Sequence, residues 1–279
     1  MRILNLGAGV QSTTLSLMAK TGEIEPFDYA IFADTQAEPK SVYRHLEWLI
    51  AELPFPVLVR SRGNLFDNLI NGINADGQRY CSIPAFTGEP GQNMGITRRQ
   101  CTSEYKIKVV EKTIRRELLS LESGQRIPKD VRIVQSFGLS YDEPGRVARV
   151  KANHSRNQWE LEFPLFDMEM TRADCVKWLE NYGVPHETPR SACTFCPYRS
   201  NAEWKRLKET DSESFAQAVA ADRAIRDKNS RAAMAFRDQM WLHRSCKPLE
   251  EIDFDVNPRD LPGQAVFGFN SECEGMCGV

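Results

Sequence analysis

This 279-residue chain lacks long apolar runs: no stretch of about 18 or more apolar residues occurs, so no membrane-spanning helix is expected. It also lacks a charged leader followed by a cleavable apolar segment. Arg2 runs directly into Ile3–Leu6, so no secretory signal is expected and cytoplasmic residence follows. Charge of one sign is scarce as well. With 36 Lys and Arg against 38 Asp and Glu the net charge is -2, and any nucleic-acid contact must come from a local patch. There is no internal repeat, no low-complexity tract, no Gly-Lys-Ser/Thr of the lysine-bearing phosphate loop, and no second C-x-x-C beside Cys193–Cys196. Eight cysteines in a reducing compartment then point to metal, redox or persulfide chemistry and away from a disulfide framework.

What is present begins at the N-terminus. An apolar extended segment, Arg2 to Leu6, leads into Gly7, Ala8, Gly9, Val10, Gln11, Ser12, Thr13 and Thr14. Two glycines let the backbone approach an anion. Three successive hydroxyls at a helix start add donors to the free N–H groups and the positive dipole end. Half of a dinucleotide fingerprint is also there: Gly7-Ala8-Gly9 supplies G-x-G, Ser12 replaces the third glycine, and Asp34 is placed to face a ribose. Short apolar runs alternate with helical patterns. Ile3–Leu6, Tyr29–Ala33, Val57–Val59 and Val131–Phe137 read as strands, and Val10–Lys20, Ser41–Leu53 and Tyr105–Leu121 as helices. That order predicts a parallel α/β sheet, with ligands outside the carboxyl ends of the strands, where Gly7, Asp34 and Gly138 all fall. The stretch from Asp67 to Thr97 reads as a long loop or lid. Thr171 is placed to cap a helix running to Tyr182 and ended by Gly183 and Pro185; from Asn201 to about His243 the pattern is polar helix.

The Gly7–Ser12 stretch resembles the Ser-Gly-Gly-x-x-Ser loop of the PP-loop ATP pyrophosphatases and phosphoadenylyl sulfate reductases. Phe32-Ala33-Asp34-Thr35 is similar to the acidic end of that family's second strand. Gly138-Leu139-Ser140-Tyr141-Asp142-Glu143, followed by Arg146 and Arg149, is similar to its Gly-x-x-x-x-Glu-x-x-Arg segment. Arg98 to Ile107 resembles its Arg-x-Cys-x-x-x-x-Lys element, and Phe163-Pro164-Leu165 its Tyr-Pro-Leu. The matches run in order over residues 1 to about 185. They imply an adenine nucleotide alpha hydrolase-like core over residues 1–190, with a helical, cysteine-bearing C-terminal region over 191–279. The resemblance further implies ATP and Mg²⁺ as cofactors and attack at the α-phosphate with release of pyrophosphate. The nucleotide would be held by Gly7, Ala8, Gly9, Gln11, Ser12, Thr13, Asp34 and Gly138, with Lys106 or Arg149 neutralising developing charge.

Cys193-Thr194-Phe195-Cys196-Pro197 lets two thiolates share one metal or cluster. A four-iron four-sulfur cluster takes four thiolates, and Cys101, Cys193, Cys196 and a tail cysteine supply them. Members of the resembled family carry such clusters beside the nucleotide. Cys273 is assigned as the fourth ligand, Cys277 or Cys81 being the alternatives, and Cys277 is left to carry sulfur. A structural zinc is the competing reading of C-x-x-C. Cys175, in an amphipathic helix, reads as core, and Cys246 as an ordinary thiol.

Two functions are weighed. The first is ATP-driven sulfur incorporation into DNA or RNA, with a cysteine desulfurase as donor, a homodimer as the assembly and no membrane partner. Its nucleic-acid contact would be the basic series Arg223, Arg226, Lys228, Arg231, Arg237, His243, Arg244 and Lys247. The second is reduction of phosphoadenylyl or adenylyl sulfate. Glu272-Cys273 before Gly275 resembles the Glu-Cys-Gly end of those reductases, although Glu274 intrudes.

Overall fold

The computed structural model describes residues 1–78, 83–89, 95–154, 159–234 and 238–256. In chain order it begins β1 (Arg2–Leu6), α1 (Val10–Thr21), β2 (Tyr29–Asp34), α2 (Lys40–Glu52), β3 (Val57–Ser61) and α3 (Leu65–Ile70). Two short strands follow, β4 (Phe86–Thr87) and β5 (Gly95–Ile96). Next comes a helix whose α-helical middle, α4 (Lys108–Lys112), is flanked by π-helical turns at Ser103–Ile107 and Thr113–Leu118. Then come β6 (Val134–Phe137), α5 (Pro144–His154), β7 (Glu160–Glu162), α6 (Pro164–Asp167) and α7 (Arg172–Tyr182). Last are α8 (Asn201–Thr210), α9 (Ser212–Arg226) and β8 (Met240–Trp241).

The main sheet has the order β3-β2-β1-β6-β7, every neighbouring pair parallel. Side chains alternate across it, as the pleat requires. Leu4, Leu6, Ala30 and Phe32 face α1, α2 and α7, while Ile3, Ile31 and Ala33 face Val109, Val110 and Ile114 of the α4 helix. Both faces are therefore covered by helices, which is why strands β1 and β2 read as nearly continuous apolar runs. The expected parallel α/β core is present.

Local signals account for the helix ends. Thr171 accepts from the Asp174 N–H and Asp174 reaches back to Thr171, a capping box that starts α7, and Gly183 ends it at φ 85°. Ser200 and Glu203 start α8 in the same way. β7 had no apolar run to announce it: it is three residues, Glu-Leu-Glu, held at the sheet edge by Arg132–Glu160 and Arg2–Glu162 pairs.

Two expectations need correction. The expected helix to His243 stops at Arg226, where Asp227 accepts from the Asn229 N–H and a turn begins, and β8 follows. The expected loop of 67–97 contains the end of α3 and the strands β4 and β5, which join β8 in a small antiparallel sheet. The boundary at residue 190 is bridged by one core. Leu65, Leu69, Ile83, Ala85 and Tyr105 pack with Phe195, Trp204, Leu207, Phe215 and Ala218, so the C-terminal helices close over the 65–105 segment. Among the described residues no helix is long and apolar enough to cross a membrane.

Candidate functional site

The sheet order reverses between β1 and β6, each crossing over to a different side, and the loops leaving these two strands face one another there. This is where open parallel sheets form their ligand crevice. The β1 loop turns through Ala8, which is buried with φ 55°, a left-handed conformation costly for a residue with a Cβ. Gln36, two residues beyond β2, also has φ 55°. Ser12 closes the first loop: its hydroxyl oxygen accepts from the N–H groups of Gly7 and Gly9 at 3.2 and 3.3 Å. Behind it, the first turn of α1 points N–H groups that have no intrahelical acceptor toward the crevice.

The three hydroxyls do not act alike. Only Ser12 faces the loop. Thr13 Oγ1 is bonded to His45 Nε2 at 2.9 Å, and Thr14 Oγ1 donates back to the Val10 carbonyl at 2.9 Å. His45 in turn meets His186, Nδ1 to Nε2, at 2.8 Å. Burial, with help from His186, lowers the His45 pKa to about 3, so Thr13 rests on a neutral imidazole. No local pattern marks this pair, because residues 45 and 186 meet only through the packing of α2 and the segment after α7.

Gln11 ties the two loops together. Its Nε2 donates to Ser140 Oγ at 3.1 Å and to Glu143 Oε2 at 2.8 Å, while Glu143 pairs with the buried Arg146. Gly138 is buried at the end of β6. Arg149 lies one turn beyond Arg146 on α5 and is exposed, so the arginine brought to the crevice is Arg146. At β2, Asp34 Oδ1 accepts from the Gln36 N–H at 2.8 Å and from the Tyr43 hydroxyl at 2.9 Å, which makes it a turn-former as well as a charge at the strand end. Lys106 is buried and pairs with Glu38 at 3.4 Å; Glu38, which sequence reasoning missed, also accepts from Thr35 Oγ1.

A second concavity opens beside Thr35. Its walls bring together Cys101, Cys193 and Cys196 with Arg99 and Lys106, closed by Leu65, Ile83 and Phe195. Arg99 lies over the Tyr198 ring at 4.0 Å. The Cys193 thiol is hydrogen-bonded to Cys196, and that bond, burial and the neighbouring Cys196, Glu38 and Cys101 push its pKa well above the ordinary thiol value. That thiol therefore resists ionising. Among the described residues no three His, Cys, Asp or Glu side chains converge as ligands of one ion. A cubane cluster takes one thiolate per iron and so spreads its ligands more widely than a single ion does, and three cysteines around one cavity with two cations on its wall fit that donor set. Cys175 is core, as expected, between α7 and α1. Cys246 is buried too, which raises its thiol to about 11. Cys81, Cys273 and Cys277 lie outside the described residues.

Three members of the basic series are neutralised or uncharged. Arg226 pairs with Asp222 and Glu250, Arg223 with Glu250, and His243 is buried between Asn201 and Ser245 with its pKa lowered to about 3 by burial and Arg244. Arg237 lies outside the described residues.

Comparison with known proteins finds no family model that matches this chain and no curated protein that matches it.

Proposed function

We propose that this chain is an ATP pyrophosphatase of the PP-loop kind, which adenylylates an acceptor, a nucleic acid, so that sulfur can be incorporated. The observation that carries the reading is a juxtaposition. A glycine-hydroxyl loop at the start of α1 and a Glu–Arg loop after β6 meet at the sheet's switch point, and a cavity lined by three cysteines opens at the end of the next strand, beside Thr35.

In this reading the N-terminus of α1 and the Gly7–Ser12 backbone hold the pyrophosphate portion of ATP. Mg²⁺, when bound with ATP, would offset phosphate charge, and Asp34 is the strand-end carboxylate that would hold it or orient the nucleotide. An acceptor oxygen attacks the α-phosphorus, the bond from that phosphorus to the bridging oxygen breaks, and pyrophosphate leaves. Lys106, held by Glu38 between β2 and the cysteine cavity, is placed to offset charge on the adenylylated acceptor; Arg146 takes the role first expected of Arg149. A sulfide-level nucleophile, released from a cysteine desulfurase's persulfide by two-electron reduction with thiols, would then attack the activated centre and displace AMP. A four-iron four-sulfur cluster on Cys101, Cys193 and Cys196 would supply a place to hold sulfide next to that centre.

The test is which product forms. Anaerobically prepared protein given ATP and a nucleic-acid acceptor is expected to release pyrophosphate and AMP in step with sulfur uptake. Thiol-dependent release of sulfite from phosphoadenylyl or adenylyl sulfate, with ATP inert, would replace this reading by reduction. The tail that suggested reduction lies outside the described residues.

A further inference from the structure

Over residues 98–116 the chain carries seven Lys and Arg against two Glu, in a protein of net charge -2. Most of this stretch is the helix built around α4, which packs on the sheet through Val109, Val110 and Ile114. Its outer side is thereby fixed. Lys108, Lys112 and Arg116, each four residues from the next, stand exposed in one row, with Arg115 half-buried beside it. Among the described residues none of these four forms an ion pair. The two arginines are held instead by backbone carbonyls, Arg115 by that of Gln125 and Arg116 by that of Leu121, so their charge is positioned without being neutralised. Of the two glutamates, Glu104 is buried and Glu111 half-buried, and Glu117, the next acidic residue, is engaged by Arg60.

The row starts at the cysteine cavity. Cys101, Thr102 and Lys106, in the first turns of the same helix, line that cavity, Arg99 forms part of its wall, and Arg98 is exposed just before it. From Lys108 to Arg116 the row leads about 12 Å away, at about 1.5 Å per residue. Its surroundings choose among partners for such charge. A membrane surface asks for apolar anchors beside the basic face, and a protein interface for aromatic and apolar side chains with few lysines. Among the described residues, none of the large apolar side chains exposed on the protein belongs to this helix. A polynucleotide asks for cations in a line. A row one side chain wide follows one backbone, and an unpaired strand bends into a cavity that a duplex is too wide to enter. We propose that the outer face of the α4 helix, Lys108, Lys112 and Arg116 with Arg115, binds the backbone of a single-stranded polynucleotide and leads it to the cysteine cavity. The inference rests on the nucleic-acid acceptor of the reading above and moves its contact away from the basic series at 223–247.

Fluorescence anisotropy of the intact protein with labelled oligodeoxythymidine and oligouridine, over a range of salt concentrations, tests the surface. The wild type is compared with three variants. Lys108→Gln/Lys112→Gln/Arg116→Gln removes the row; Lys108→Gln/Lys112→Gln spares both arginine–carbonyl bonds; Arg44→Gln/Lys177→Gln removes two exposed cations from α2 and α7, on the opposite face of the sheet. A single strand contributes about 0.7 in slope per phosphate contact, so the triple variant is expected to lower the slope of log affinity against log salt by about two and the double variant by about 1.4. Carried over the decade of salt from about 1 M to about 0.1 M, the triple variant's loss is about a hundredfold in affinity on whichever strand the wild type binds more tightly. The Arg44→Gln/Lys177→Gln variant is expected to keep the wild-type slope. Unchanged slopes in the first two variants would overturn this surface and leave the nucleic-acid acceptor standing, and so would an equal loss in the third, which would reduce the effect to net charge. Tighter binding of duplex DNA, poly-glutamate or anionic phospholipid vesicles than of either single strand would give the row to another partner and overturn the proposal. A wild type that binds no polynucleotide would overturn both this surface and the acceptor in the reading above.

Discussion

The crevice between the β1 and β6 loops stands on strands that are neighbours in one sheet, whereas the cysteine cavity takes its walls from residues 35, 65, 83–84, 99–106 and 193–197, stretches joined by no common element. In the crevice most polar groups are already engaged: Ser12 with Gly7 and Gly9, Asp34 with Gln36 and Tyr43, Gln11 with Glu143. In the cavity the Cys193 thiol is hydrogen-bonded to Cys196 and resists ionisation. One region is preorganised by its backbone. The other is assembled by the packing of Phe195 and Trp204 with Tyr105, so the two should fail independently.

The sharpest way to break that comparison is to damage the crevice alone. Gly9→Val sets a branched side chain beside the Ser12 hydroxyl, 3.3 Å from the Gly9 nitrogen, where an anion must approach. ATP affinity is expected to fall about a hundredfold, about 2.8 kcal/mol. Iron content and visible colour of anaerobically purified protein should not change. Loss of both would mean that the crevice and the cavity are one cooperative unit; unchanged ATP affinity in a folded variant would remove the nucleotide reading.

Damage to the cavity is the converse. Cys193→Ser is expected to abolish the absorbance and iron of a cluster held by Cys101, Cys193 and Cys196, with ATP binding kept within about twofold, since serine oxygen is a poor ligand for iron–sulfur centres. Colourless wild-type protein carrying stoichiometric zinc would overturn the cluster and keep the cavity as a structural site.

These two regions were not equally legible. Gly7 to Ser12, Asp34 and Gly138 to Glu143 each end a strand, and a parallel sheet brings strand ends together whatever the loop lengths, so order along the chain was enough to expect their meeting. Thr171, Asp174 and Gly183 likewise carry their own capping chemistry. Cys101 and the C-x-x-C pair were linked through resemblance, not spacing; their meeting depends on Phe195 and Trp204 packing with Tyr105, which no local pattern encodes. The burial of Thr13 against His45, the Lys106–Glu38 pair and the exposure of Arg149 are tertiary as well. On α5, Arg146 and Arg149 are three residues apart, about 60° short of a full turn, and one is buried while the other is exposed.

Two buried neutral histidines, His45 behind the crevice and His243 against Asn201 at the start of α8, offer an acid probe of the fold. Their folded pKa values of about 3 lie below the unfolded value near 6.5, so the unfolded chain takes up these protons first as pH falls. Stability from this source is fully present above pH 6.5 and is lost as pH drops toward 3, by up to about 1.4 kcal/mol per pH unit for each histidine. Urea midpoints at pH 7, 6, 5 and 4 should show a slope approaching two protons. His45→Gln should remove about one of them; a slope unchanged by that substitution would mean that His45 is protonated in the fold.

The smallest effect is expected where the sequence suggested the largest nucleic-acid contact. Arg223 and Arg226 look like phosphate ligands in one dimension, but Glu250 meets both and Asp222 holds Arg226. Asp222 is itself buried and accepts the N–H groups of Leu242 and Leu249, so Arg226 serves to balance a carboxylate that fastens β8 and the following segment onto α9. A guanidinium engaged in this way releases few counterions when a strand arrives. Replacing Arg223 by Gln should therefore leave the salt dependence of DNA or RNA binding unchanged, whereas each arginine that neutralised a phosphate would lower its slope by nearly one. Arg226→Gln should act on stability instead, lowering the urea midpoint because the buried Asp222 loses its charge partner, by about 3 kcal/mol if the carboxylate stays ionised. A slope reduced by nearly one in Arg223→Gln, with stability unchanged, would return this face to the nucleic-acid interface and bind the two regions to a common substrate.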